Sequence, residues 1–189
     1  MTSGELALLR PAGVTMATVA IRLGRFTPPP PFWETPPMQR WRSVTSGQAR
    51  ATALLTAGMV SAARMVYSRS IRAAILAGGP PPYSPDITAV KAELHAGLAS
   101  VQLRLGLPAA AAANAGKALA LHPAHLEARY RRGVAQAAMM DLEAAMADLM
   151  AVLRVQPGHA GARRELRRVR GAARERDARL ARRLGRLFA

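Results

Sequence analysis

The chain has 189 residues, of which 50% are hydrophobic and 20% charged, enough to bury one sizeable core and therefore to form one main domain with appendages. It has no cysteine, which excludes a disulfide framework, a thiol nucleophile and a thiolate metal site. The formal charge is +16, yet 25 of the 27 basic residues are arginine in a chain also rich in Ala, Gly and Pro, so the bias follows from GC-rich coding and nucleic acid is not expected as a partner.

In chain order, the apolar stretch from Ala12 to Ile21 is far shorter than the roughly 20 residues of a membrane helix. Glu5, Arg10 and Pro11 spoil it as a signal sequence, so no membrane partner is expected and the compartment expected is the cytoplasm or nucleus. Residues 14–23 are β-branched and apolar enough for a single strand, which on its own has no partner. Six prolines between Thr27 and Pro37, with Trp33 and Trp41 nearby, read as an extended linker.

From Ser43 onward the pattern is helical. Gln48 to Ala57 reads as one helix and Val60 to Leu76 as its partner, broken apart by Gly58. A Gly-Pro loop runs from Gly78 to Pro85, and Asp86 is a candidate cap for a helix ending near Leu105. Pro108 suits the first turn of the next helix, where its missing N–H costs nothing. Two more helices are expected at about Ala124 to Ala138 and from Asp141, a candidate N-cap, to Val155.

Residues 92–123 and 126–157 echo one another at a spacing of 34: Pro123 with Pro157, Ala111 with Ala145, Ala99 with Gly133. A 34-residue helix-turn-helix period is that of the tetratricopeptide repeat (TPR). The fold expected is all-α: repeats at about 44–77, 92–125 and 126–159, a remnant and linker at 1–43, and a C-terminal capping helix over 158–189. Ala115 stands where a bulky aromatic is usual. Leu166, Val169, Ala173, Leu180, Leu184 and Leu187 form the apolar stripe of that last helix, expected to run from Ala160 to Phe188 and to cover the end of the last repeat. Its other face carries 11 arginines against three acids, a pattern open to an acidic protein, calmodulin or a polyanion.

Leu-Glu-Ala-Arg-Tyr-Arg-Arg-Gly-Val-Ala-Gln-Ala-Ala from Leu126, Asp-Leu-Glu-Ala-Ala-Met-Ala-Asp-Leu from Asp141 and the closing Leu-Gly-Arg-Leu-Phe resemble the C-terminal part of the large immunophilins. These are FK506-binding-type prolyl isomerases that carry three TPRs and a final helix. Val19-Ala-Ile-Arg-Leu-Gly-Arg-Phe-Thr followed by Phe32-Trp33-Glu34 looks like the last strand and exit segment of their isomerase domain. One strand cannot enclose a prolyl pocket, so the resemblance implies a co-chaperone without isomerase activity.

In that family the concave groove grips the acidic tail of the heat-shock protein 90 chaperone through Lys, Asn and Arg side chains. Transferred here, those places fall on Gln48, Thr52, Gly97, Glu127 and Arg131, of which Arg131 alone retains the family's residue. The expected groove is completed by Leu55, Ser100, Arg104, Tyr130 and Val134, while Arg129 and Arg132 are expected to point off it. Its chemistry would be charge-assisted hydrogen bonding to a carboxylate. Gly97 removes a donor and Glu127 introduces a negative charge, which predicts weakened binding. His95, His122, His125 and His159 show no metal-ligand spacing, and no nucleophile motif or phosphate-cradling loop occurs, so no metal, cofactor or catalytic residue is expected.

Overall fold

Alanine-rich stretches punctuated by glycine and proline form seven helices in the computed structural model, which describes residues 4–9, 18–22, 24–25, 31, 34–78 and 84–185. Residues 1–36 and 37–189 are two separate units.

In the first unit, β1 (Leu6–Leu9) pairs antiparallel with β2 (Val19–Arg22), Leu6 opposite Arg22 and Leu9 opposite Val19. The strand expected to stand alone therefore has a partner. Leu-Ala-Leu-Leu has no β-branched residue and gives no strand signal of its own. Residues 14–17, Leu23 and Trp33 lie outside the described residues.

The helices of the second unit are α1 (Pro37–Thr56), α2 (Val60–Ala77), α3 (Pro85–Arg104), α4 (Pro108–Leu121), α5 (Leu126–Ala138), α6 (Leu142–Val155) and α7 (Ala160–Gly185). α1 begins well before the expected Gln48 and Ser43. The last of the six prolines opens it, because proline's fixed φ and missing N–H suit a first helical turn. Trp41 consequently packs, partly buried, against the cluster around Val44, Tyr67 and Leu98 and is no part of a linker. The N-cap of α3 is Ser84, whose hydroxyl accepts from Ile87 N at 3.4 Å; Asp86 sits inside the first turn. Asp141 caps α6 as expected, accepting from Ala144 N at 3.3 Å.

All three repeats turn the same corner. Met59 N donates to Leu54 O, Leu107 N to Gln102 O and Asp141 N to Gln136 O, each closing a Schellman motif around a residue of positive φ: Gly58, Gly106 and Met140. Histidine caps the next helices: Nδ1 of His125 accepts from Ala128 N at 3.3 Å, and Nδ1 of His159, 34 residues on, accepts from Ala162 N at 3.0 Å.

Each helix packs on the next, and α3 also touches α1 and α5 while α7 touches α5. Among the described residues no two even-numbered helices meet this way, so the stack bends with α1, α3, α5 and α7 on its inner side. The core is bulky at its ends, with Val44, Tyr67, Leu94 and Val101 at one and Leu142, Leu149, Val152, Leu166 and Val169 at the other. Between them it is almost all alanine: Ala96, Ala118, Ala128, Ala99, Ala111, Ala115 and Ala135. Small residues let helices approach closely, as at Gly133, where a Cβ would fall 3.1 Å from Leu149 Cγ.

The apolar stripe of α7 covers the last repeat only as far as Ala173. Leu180 and Leu184 are 54% and 45% exposed, so the distal part of the stripe does not take part in the expected capping. Leu187 and Phe188 lie outside the described residues. No described helix is long and apolar enough to cross a membrane.

Candidate peptide-binding groove

The ten expected groove residues fall on three inner helices: Gln48, Thr52 and Leu55 on α1, Gly97, Ser100 and Arg104 on α3, Glu127, Tyr130, Arg131 and Val134 on α5. Spacings of three and four put each set on one helical face.

Between α1 and α3 the floor is made by the buried Tyr67 of α2. Its hydroxyl lies 2.9 Å from Thr52 Oγ1, and Thr52 Oγ1 also donates to Gln48 O at 3.1 Å. Tyr67 reaches so far because residue 97 is glycine. A Cβ on Gly97 would lie 2.5 Å from Tyr67 Cε1 and 2.8 Å from its hydroxyl. The missing side chain is thus replaced by a phenol from the neighbouring helix. The signal was the pairing of a tyrosine in one repeat with a glycine in the next, invisible until the helices are placed.

Two arginines tie the inner helices together. Arg104 Nη1 donates to Leu55 O at 3.2 Å, near the C-terminal end of α1. Arg131 Nη1 donates to Ala96 O of α3 at 2.7 Å, and its Nη2 lies 2.9 Å from Glu127 Oε1. Arg131 therefore joins two helices and is neutralised by the acid one turn earlier. Tyr130 turns toward α7: its ring packs on His159 with centroids 4.7 Å apart, and a Cβ on Gly161 would meet its hydroxyl at 2.8 Å. Burial, aided by the Glu165 charge, raises the Tyr130 pKa above the usual phenol range.

Arg129 and Arg132 bind Asp148 of α6 on the other side of α5, Arg132 with Nε at 2.6 Å from Oδ2 and Nη2 at 2.8 Å from Oδ1. The bidentate carboxylate bond raises the pKa of Arg132. Among the described residues no three His, Asp or Glu side chains converge as metal ligands would.

No known family model matches the chain. Over 188 residues, all of this chain and 52% of theirs, it is 39% identical to proteins called FK506-binding protein-like in mouse, rat and human. It spans about half the length of these relatives. The first TPR domain of Spaghetti (RPAP3), solved bound to the HSP90 peptide SRMEEVD, superposes with a TM-score of 0.55 at 26% identity, covering 70% of this chain and 94% of that one. The C-terminal TPR-containing domain of a Plasmodium falciparum FK506-binding protein shares the fold at a TM-score of 0.70 and 15% identity, covering 78% and 99%. The chain has the TPR fold and is similar along its whole length to the FK506-binding protein-like proteins.

Proposed function

We propose that the chain is a non-catalytic adaptor of co-chaperone type that holds a protein segment in the groove of α1, α3 and α5, the tail of heat-shock protein 90 being the first candidate. The observation that carries this is the Spaghetti TPR domain, 26% identical to this chain and solved with an HSP90 peptide. The inner helices here carry amide and guanidinium groups from Gln48, Arg104 and Arg131, the donor chemistry that an acidic, extended peptide requires. Among the described residues the groove offers no nucleophile with a base beside it, and the two short paired strands do not enclose a prolyl ring. The adaptor would work in the cytoplasm or nucleus.

Calorimetric titration of the full chain with SRMEEVD, beside a scrambled peptide, tests the reading. Sequence-dependent binding, weak because of Glu127, supports it; no binding by the parent or by Glu127→Lys ends it. Asparagine at position 97 is not a clean way to restore a donor, since its Cβ would collide with Tyr67.

A second reading rests on α7. Beyond Ala173 it leaves Leu180 and Leu184 exposed beside Arg174, Arg179, Arg182 and Arg183, a basic amphipathic surface for calmodulin, another acidic protein or a polyanion. Salt separates the readings, because polyanion binding falls steeply as counterions compete.

A further inference from the structure

Arg131, one of the groove's two arginines, is already engaged within the chain. Arg131 is 20% exposed and uses both terminal nitrogens, one on the Ala96 carbonyl at 2.7 Å and one on Glu127 Oε1 at 2.9 Å. Each bidentate edge of its guanidinium therefore contains a nitrogen in use. A Glu–Arg pair four residues apart also steadies an isolated helix. Here, however, Arg131 reaches across to α3, so its head is held between helices and Glu127 meets it on the groove side of α5, 44% exposed.

We propose that Glu127 is a specificity-determining residue: its carboxylate holds the place on Arg131 that the carboxylate of an acidic peptide would take. An acidic tail must displace Glu127 and then lie beside its negative charge, so the groove binds acidic tails weakly. Removing that one charge frees Arg131 and strengthens the hold on an acidic tail. Gly97 and Thr52 do not offset the loss, because Thr52 is bonded to Tyr67 and Tyr67 fills the space at 97. The inference rests on the groove reading above.

The test measures binding of SRMEEVD to the full chain and to Glu127→Gln, which keeps size and removes charge. Arg131→Gln and the double variant complete a cycle, and thermal melting confirms that each variant folds. Glu127→Gln should bind about tenfold more tightly than the parent, 1.4 kcal/mol by the usual conversion, and the gain should vanish in the double variant. Equal binding by parent and Glu127→Gln overturns the inference and leaves the groove reading standing. A gain that survives in the double variant also overturns it, since the cause would then be overall charge and not release of Arg131. If no form binds, both the inference and the chaperone-tail reading fall.

Discussion

The second and third repeats bring their two helices together at the same place by different chemistry. In the second, Asn114 of α4 accepts from His95 Nδ1 at 2.9 Å and donates to Gln102 Oε1 at 3.0 Å, an uncharged network between α3 and α4. In the third, 34 residues on, Asp148 of α6 takes the place of Asn114, Arg129 that of His95 and Gln136 that of Gln102. There the pin is ionic: Arg132 grips Asp148 bidentately, Arg129 approaches at 3.9 Å, and the Gln136 amide, in its satisfied orientation, donates to Asp148 Oδ2 at 3.1 Å. The first repeat has Val66 on the corresponding stretch of α2 and no such pin in the register. The second and third repeats each place a satisfied polar contact where their two helices approach through small residues, one neutral and one charged, whereas the first repeat fills the position with an apolar side chain.

The largest test is to break the ionic pin. Asp148 is 5% exposed and faces two arginines. Asp148→Ala should lower unfolding stability by about 3 kcal/mol, because it leaves partly buried cations facing each other. Urea denaturation measures it. Asp148→Asn sharpens the comparison: if it costs as much as alanine, the charge holds the third repeat, and if it costs little, shape and hydrogen bonding suffice there as they do around Asn114.

Breaking the neutral pin comes next. Asn114→Ala should cost about 2 kcal/mol, less than Asp148→Ala, since it strands His95 and Gln102 without burying an unpaired charge. An equal or larger loss would show that a buried ion pair adds nothing over a neutral network.

The corners offer a subtler contrast. Gly106 and Met140 occupy the same turn 34 residues apart, with φ of 69° and 63°. A side chain in this region strains the backbone, whereas glycine accepts it freely. Gly106→Ala should destabilise by about 1 kcal/mol and Met140→Gly should stabilise by about 0.5 kcal/mol, the gain reduced by glycine's extra freedom in the unfolded chain. Opposite signs in chemical denaturation are the outcome to look for.

These pairs also show which parts of the molecule were legible in the sequence. Features that recur at a fixed spacing were plain: Pro123 with Pro157, Gly133 and the small residues facing it, and the helices of the last two repeats. Features made by one residue meeting another of different period were not. Tyr67 and Gly97 look like a core aromatic and a lost donor, and they become one groove feature only when α2 lies against α3. Pro37 looked like a linker residue because five prolines precede it, although its local geometry suits a helix start. Leu180 and Leu184 continue the heptad-like stripe of α7, but a stripe does not say where the surface it would cover stops.

The smallest expected effect concerns pH and belongs to the second repeat alone, since Arg129 replaces His95 in the third. Burial lowers the His95 pKa below its ordinary 6.5, opposed in part by the hydrogen bond to Asn114 and reinforced by the Lys117 and Lys91 charges. The neutral ring carries its proton on Nδ1, because Asn114 Oδ1 can only accept. Below about pH 6.5 the unfolded chain binds a proton at this histidine that the folded chain resists. Stability from His95 is therefore complete above that pH and is lost as pH falls toward the lowered folded value. Unfolding free energy measured across the range should decline on acidification less steeply in His95→Gln than in the parent, the difference between the two isolating this ring from the other histidines. In Asn114→Asp the slope should shrink or reverse, because a carboxylate beside the imidazole favours its protonated form and gives the second repeat the ionic character of the third. An unchanged slope in both variants would mean that burial of His95 does not govern the pH dependence of stability.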